Sequence, residues 1–102
     1  MKRITILKTD GTHETRQVDK TDLKMLQKAV GGLIETIPYL GKFEGKACEA
    51  YCNEEGLLDG LPFNGPATNL WLENLKGKGE LAHYPKLFGD IVIIQNVLKK
   101  AA

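Results

Sequence analysis

The chain has 102 residues, of which 42% are hydrophobic and 26% charged, and this length and composition suit one globular domain spanning residues 1–102. The 14 Lys and Arg residues nearly balance the 13 Asp and Glu residues, so the net charge of +1 gives no strong nucleic-acid signal and excludes an acidic DNA mimic. The longest apolar run, Ile91–Ile94, is far shorter than the roughly 20 residues of a membrane span, so we expect no membrane partner. The two cysteines, Cys48 and Cys52, are too few for a disulfide framework, and we therefore expect a cytoplasmic protein.

The first predicted element is a β-hairpin near the start of the chain. Arg3–Lys8 is rich in β-forming residues, and the Asp-Gly pair within Thr9–Thr12 is a strong signal for a hairpin turn. His13–Val18 is then the returning strand. Because this strand is polar on both faces, we predict that it lies at an edge of the sheet.

The clearest helix candidate is Asp19–Gly32, in which apolar residues recur at helical spacing. Asp19 or Thr21 is predicted to cap its first turn, because a side-chain oxygen at that point accepts from the free backbone N–H groups. Gly31 and Gly32 are predicted to end the helix in a left-handed conformation. The apolar stripe indicates that the helix packs on a sheet.

Two further strands are predicted in the middle of the chain, separated by the loop Leu40–Gly45. The first is Leu33–Tyr39, where Pro38 cannot donate a ladder hydrogen bond and therefore indicates a sheet edge or a strand end. The second is Lys46–Cys52. Asn53–Gly56 follows as a turn.

The last third of the chain is predicted to contain a short helix and a central strand. Leu57–Leu61 is predicted to be a short strand or an extended connection, and the break Phe63–Pro66 ends in a proline that suits a first helical position. Lys76–Lys86 is predicted to be an exposed loop. Ile91–Gln95 is a continuous β-branched run, which is typical of a central strand covered on both faces.

These elements together predict an α+β fold. We expect a mostly antiparallel sheet of about five strands, with one main helix, one short helix and the last strand inside the sheet. Val97–Ala102 is predicted to be a short helical or frayed tail.

Several ordered stretches of the chain carry a resemblance to a known family. They are Leu26–Glu35, Asn53–Gly56, Leu61–Asn64, Ala67–Thr68 and Gly89–Ile94. In this order and spacing, the chain from about Ile4 to Ile94 resembles a family of small proteins of unknown function from tailed phages, mobile elements and some archaea. The resemblance implies an accessory protein of a phage or mobile element, and no catalytic residue is carried over from it.

The two cysteines are candidate metal ligands together with His13 and His83. On a strand, residues four apart lie about 13 Å from each other, which is too far for two ligands of one tetrahedral ion. A second pair of closely spaced ligands is also missing from the sequence. We therefore interpret Cys48 and Cys52 as buried structural thiols and both histidines as surface residues, and we expect no metal and no cofactor.

The carboxylates considered for a small hydrolase are Glu54, Glu55 and Asp90. Adjacent residues of a strand face opposite sides, whereas a general acid and base must converge on one bond. The turn-forming neighbours of Glu54 and Glu55 favour a turn instead. Lys76–Gly79 lacks the residue order of a phosphate-binding loop and is interpreted as a flexible helix exit. We therefore expect that the protein is not an enzyme.

The most informative cluster consists of polar residues beside apolar anchors, a mixture that lines small-molecule pockets. The candidate ligand-binding residues are Asn53, Glu54, Asn64, Thr68, Trp71 and Asp90. The alternative is structural: Asn64 caps the short helix, Asn53 closes a turn and Trp71 fills the core.

These observations and the resemblance lead us to expect a phage-type accessory protein. It would act by stoichiometric binding of a host protein or a small nucleotide-like ligand. The alternative is a protein–protein interaction module whose edge strands, above all His13–Val18 and the strand ending at Pro38, pair with a host factor or with a second copy in a homodimer. A small hydrolase using the three carboxylates is the third hypothesis.

Overall fold

The structure is a computed structural model that describes residues 1–76 and 86–97. Its strands are β1 (Lys2–Leu7), β2 (His13–Val18), β3 (Ile34–Thr36), β4 (Lys42–Phe43), β5 (Lys46–Ala47), β6 (Glu49–Asn53) and β7 (Ile91–Asn96). Its helices are α1 (Leu23–Val30) and α2 (Gly65–Leu75). Most of the predicted loop Lys76–Lys86, with His83 in it, and the tail beyond Val97 lie outside the described residues.

Five strands form one sheet in the order β2-β1-β7-β6-β3, and β4 pairs with β5 in a separate hairpin. All strand pairs of the described residues are antiparallel. The predicted α+β class, the central position of the last strand and the edge position of His13–Val18 are therefore confirmed. The strand before Pro38 is also at an edge, as predicted.

The two helices cover opposite faces of the sheet, and the side-chain alternation along β7 shows why. Ile91 and Ile93 pack with the core cluster that includes Ala67 of α2, whereas Val92 and Ile94 pack with the cluster that includes Leu26 of α1. Because successive side chains of a strand point to opposite faces, a strand covered on both sides needs an unbroken apolar run.

The helices differ from the prediction in where they begin and in their relative lengths. α1 begins at Leu23 rather than near Asp19, because Asp22 is extended and its carboxylate accepts a hydrogen bond of 2.8 Å from the backbone N–H of Met25. Asp22 is therefore the cap, in place of Asp19 or Thr21. The predicted end at Gly31 is confirmed, since φ is +79° there. α2, predicted to be the short helix, has 11 residues against 8 in α1.

The middle of the chain also differs from the prediction. Leu33–Tyr39 contributes only a three-residue strand, because the chain turns at Pro38. The predicted loop Leu40–Gly45 contains β4, and Lys46–Cys52 is divided into β5 and β6. The division follows from the strand pairing, because β5 pairs with β4 whereas β6 pairs with β3 and β7. The turn between β4 and β5 is Glu44-Gly45, a pair that lacks the usual Asn-Gly or Asp-Gly signature.

Leu57–Leu61 is neither a strand nor extended. Its backbone N–H groups bond locally: Asp59 donates to Glu55, and Leu61 donates to the carbonyl of Gly56 at 3.0 Å. These bonds fold the segment into consecutive turns. No helix of the described residues is both long enough and apolar enough to cross a membrane.

Candidate functional site

Asn64 is the most deeply buried of the predicted ligand-binding residues, and it holds three parts of the fold together. Its side chain is 0% exposed. Its Nδ2 donates to the carbonyl of Leu7 and to the carbonyl of Gly89, both at 2.9 Å, and its Oδ1 accepts from the N–H of Ala67 at 3.0 Å. Asn64 therefore caps α2 and attaches it to β1 and to the segment before β7.

Thr68 and Trp71, on the following turns of α2, bond to neighbouring backbone. The Thr68 hydroxyl accepts from the N–H of Leu87 at 2.9 Å, and the Trp71 indole N–H donates to the carbonyl of Pro38 at 2.7 Å. Trp71 is half-buried and packs against the core cluster on the α2 face. Both side chains use their polar atoms to hold segments of the chain on α2.

Asn53, Glu54 and Asp90 are placed elsewhere. Asn53 donates to the carbonyl of Val30 at 3.2 Å and accepts from the N–H of Glu55 at 2.8 Å, so it closes the turn after β6 and holds the end of α1. Glu54 is exposed. The Asp90 carboxylate accepts from the N–H of Thr9 at 3.1 Å.

The six predicted residues do not form one site. Asn53 lies on the α1 side of the sheet, whereas Asn64, Thr68 and Trp71 lie on the α2 side. Every buried side-chain nitrogen and oxygen of the described residues has a hydrogen-bond partner. The buried members of the set therefore present no unpaired polar group to a ligand.

Within the described part of the chain, no three His, Cys, Asp or Glu side chains lie close enough to hold a metal ion. Glu54 and Glu55 lie in an exposed turn, and His13 lies on the exposed strand β2. Asp90 is engaged with Thr9, so the three carboxylates considered for hydrolysis serve separate local structures.

The two cysteines are free thiols that are partly buried against the core. Burial, with a smaller contribution from Glu49, raises the pKa of Cys48. Burial, with a smaller contribution from Glu35, raises the pKa of Cys52 from 9.0 to about 11. A raised pKa lowers the fraction of each thiol that is present as thiolate, the reactive form.

The Cys52 thiol is expected to react with iodoacetamide about a hundredfold more slowly in the folded protein than in the unfolded chain at mildly alkaline pH, because the folded thiol holds its proton more tightly. For the same reason, the free energy of unfolding should decrease as the pH rises from 9.0 towards about 11. Peptide mass spectrometry after timed alkylation measures the rate, with the chain in denaturant as control. Equal rates in both states would contradict the burial argument.

A groove of about 520 Å³ lies between α2 and the segment that leads from β3 through the β4–β5 hairpin. Its lining includes one exposed aromatic ring, one cation, two carboxylates, one apolar side chain and one amide. These belong to Tyr39, Lys42, Glu44, Glu73, Leu70 and Asn74.

The wall of the groove is attached to α2 at two points. Trp71 holds the carbonyl of Pro38 at one end. At the other end, Asn74 accepts from the N–H of Lys42 at 2.9 Å and donates to its carbonyl at 3.0 Å, as a neighbouring strand would. Between these points Leu40 is buried, 2% exposed, while Tyr39 is 68% exposed. The chain therefore presents the Tyr39 ring outward on a fixed backbone.

Tyr39 and Glu44 are the non-glycine residues of the described chain that have positive φ, at 65° and 52°. Tyr39 follows Pro38 in a turn whose second central position normally favours glycine. Glu44 and Gly45 both have positive φ in a two-residue hairpin turn, where asparagine, aspartate or glycine is usual. Each left-handed side chain costs roughly 1–2 kcal/mol, and both line the same groove.

None of the residues that line this groove is among the ligand-binding residues predicted from the sequence. The available signal was weak: a tyrosine after a proline, and a glutamate before a glycine. Neither pair reveals a strained position until the turn geometry around it is known, because tyrosine and glutamate are ordinary in extended backbone.

Comparison with known proteins places the chain in a family without transferring an activity to it. No curated protein and no solved structure matches the chain. Residues 1–100 match the family described as "Domain of unknown function (DUF3846)", which confirms the predicted resemblance to a family of unknown function. The match covers the chain almost from end to end, and the chain therefore belongs to the DUF3846 family.

Proposed function

We propose that the protein is a cytoplasmic, phage-type accessory protein that binds a host protein stoichiometrically, without catalysis. The groove between α2 and the β4–β5 hairpin receives a basic side chain of that partner. The observation that carries this proposal is the pair of strained residues, Tyr39 and Glu44, whose side chains line one groove.

The chemistry of the groove fits an arginine or lysine side chain. An exposed tyrosine ring such as Tyr39 attracts a cation to its face. The carboxylates of Glu44 and Glu73 accept charge-assisted hydrogen bonds from a guanidinium or ammonium group. Leu70 supplies an apolar surface for the aliphatic stem. Each part of a long basic side chain therefore has a counterpart.

The charges of the groove favour a protein partner over a nucleotide-like ligand. Lys42 is opposed by the carboxylates of Glu44 and Glu73, so the lining carries more negative than positive charge. Two carboxylates repel a phosphate group, and the lining offers one lysine to offset them.

Backbone strain supports a functional reason for these side chains. Residues held in sparsely populated conformations persist where the surroundings determine them, and they concentrate at binding sites. Asparagine tolerates positive φ better than tyrosine or glutamate. A protein with no use for the two side chains would therefore be more stable with asparagine at both positions.

Tyr39→Asn and Glu44→Asn are each expected to raise the free energy of unfolding by about 1 kcal/mol while weakening partner binding. The probe is a short peptide with a single central arginine, titrated while the fluorescence of Trp71 is recorded. Trp71 is the sole tryptophan and its indole bonds to Pro38, next to Tyr39, so its emission reports on the groove. Chemical denaturation measures the change in stability.

Glu54→Asn is the matched control, because it removes an exposed carboxylate outside the groove lining, at a residue without positive φ. Glu54→Asn should neither raise the free energy of unfolding nor weaken binding of the arginine peptide. The same peptide with glutamine in place of arginine should bind weakly, and adenosine monophosphate should not bind. Binding of the nucleotide instead of the arginine peptide would refute the proposal in favour of the nucleotide-like ligand.

A further inference from the structure

The edge strand β2 presents an exposed surface that shares no residue with the groove. His13–Gln17 is exposed along its whole length, and β1 is its neighbour on one side only. Its outer side pairs with no strand of the described residues. An unpaired strand edge is a template for another strand.

The hydrogen-bond phase of the hairpin determines which backbone groups face outward. The N–H of Lys8 donates to the carbonyl of Thr12 at 2.9 Å, so Lys8 and Thr12 are a hydrogen-bonded pair. In an antiparallel ladder such pairs alternate with non-bonded ones, and the pairing register therefore points the backbone groups of Glu14 and Arg16 towards β1.

It follows that His13, Thr15 and Gln17 turn their N–H and C=O groups away from the sheet. The hydroxyls of Thr5 and Thr15 approach to 3.4 Å, as expected for the closer side chains of a non-bonded pair. The outer edge of β2 thus offers three donors and three acceptors from these residues to a strand that lies alongside.

We propose that this edge pairs with β2 of a second copy of the chain, antiparallel, about a two-fold axis at Thr15. Thr15 then faces Thr15 of the second copy, and His13 faces the second copy's Gln17, with about six backbone hydrogen bonds in all. The same axis places Glu14 opposite the second copy's Arg16, and Arg16 opposite the second copy's Glu14. Two sheets join into one.

The charge pattern of the strand selects this register over its neighbours. The side chains alternate, so Glu14 and Arg16 project from the same face of β2. Moving the axis to Glu14 sets two glutamates directly opposite each other, and moving it to Arg16 sets two arginines opposite each other. Like charges in directly opposed positions destabilise a sheet, whereas unlike charges stabilise it. Among the described residues Arg16 makes no ion pair, and Glu14 pairs with Lys8.

Charge reversal tests the proposal without disturbing the core, because Glu14 and Arg16 are exposed. Glu14→Arg alone and Arg16→Glu alone each turn both cross-strand pairs into like-charged pairs. Each single variant is expected to weaken dimerisation by about tenfold or more. The double variant Glu14→Arg/Arg16→Glu restores unlike pairs and should dimerise like the unaltered protein. Sedimentation equilibrium over a range of protein concentrations measures the dissociation constant.

Mixing the two single variants gives the most discriminating result. Neither pairs well with itself, yet each carries the charges that complement the other, so the equimolar mixture should form a heterodimer about as readily as the unaltered protein forms a homodimer. Lys24→Glu, an exposed change on α1, is the control and should leave dimerisation unchanged.

A backbone variant provides an independent measurement. Thr15→Pro removes an outward N–H, which β1 does not use, so the variant should remain folded by circular dichroism but lose dimerisation. A monomeric unaltered protein at every concentration overturns the proposal. So does a dimer that is indifferent to Glu14→Arg, Arg16→Glu and their mixture. Because the groove is untouched by all these variants, either outcome is independent of the arginine-peptide titration.

Discussion

Asn64→Ala is expected to lower the free energy of unfolding by about 3–5 kcal/mol, a large part of the roughly 5–15 kcal/mol that stabilises a domain. The substitution leaves the carbonyls of Leu7 and Gly89 without their donor and the N–H of Ala67 without its acceptor. These groups surround a side chain that is 0% exposed, so water replaces the lost hydrogen bonds poorly. Loss of the helix cap contributes about 1 kcal/mol of the total.

Asn69→Ala is the matched control for this prediction. Asn69 lies on the same helix and is exposed, so its replacement should change the free energy of unfolding by less than about 0.5 kcal/mol. Urea denaturation monitored by Trp71 fluorescence and by circular dichroism gives both values. A cost for Asn64→Ala near that of Asn69→Ala would show that the three hydrogen bonds are energetically unimportant.

Asn64→Asp separates the cap from the two donated hydrogen bonds. The carboxylate oxygen can still accept from Ala67, but it would face two carbonyl oxygens where the amide donated. The folded state should therefore raise the pKa of the introduced carboxyl, since protonation removes the repulsion. A raised pKa means that the free energy of unfolding falls as the pH rises above about 4, the usual range of aspartate.

The parts of the fold that the sequence predicted well are those that local patterning determines. A polar strand such as His13–Val18 belongs at an edge because burying its charges would be costly, and the unbroken run Ile91–Gln95 must be covered on both faces. The hydrogen bonds of Asn64 show the capping role that its position before Gly65-Pro66 predicts. These features depend on residue type and spacing alone.

The groove could not be predicted because it depends on contacts between distant parts of the chain. Asn74 and Lys42 are 32 positions apart, and Trp71 and Pro38 are 33 positions apart. Nothing in the local sequence shows that these bonds hold Tyr39 outward in a left-handed conformation. The ligand-binding residues predicted from the sequence, such as Asn53 and Asn64, are instead those with the strongest local capping and turn signals.

The stretches that carry the family resemblance contact one another in the structure. The N–H of Gly89 donates to the carbonyl of Pro62 at 2.7 Å, and Asn64 donates to the carbonyl of Gly89. On the other face, Asn53 bonds to Val30 and lies against Gly32. These stretches therefore form two structural junctions, one beside each helix.

Gly89→Ala is expected to cost about 2–3 kcal/mol of unfolding free energy, because two independent effects meet at this residue. Gly89 has a φ of +79°, where a side chain is strained. A Cβ atom would lie 2.7 Å from Cδ1 of Leu61, closer than real Cβ contacts allow. The backbone strain does not relax easily, because Pro62 fixes the N–H of Gly89 and Asn64 fixes its carbonyl. The close contact requires the half-buried Leu61 side chain to leave its rotamer, which costs about 1 kcal/mol.

Gly60→Ala separates the backbone strain from the steric clash, because Gly60 also has positive φ, at 69°, but has open space around the position of a Cβ. It should cost about 1 kcal/mol, the backbone part alone.

In the background of Leu61→Ala, the cost of Gly89→Ala should fall to that same level, since the clash is gone. Combined with Asn64→Ala, its cost should be less than additive, because both changes disturb the one hydrogen bond at the Gly89 carbonyl. Full additivity, or a cost no greater than that of Gly60→Ala, would mean that the junction of Leu61, Asn64 and Gly89 does not act as a unit.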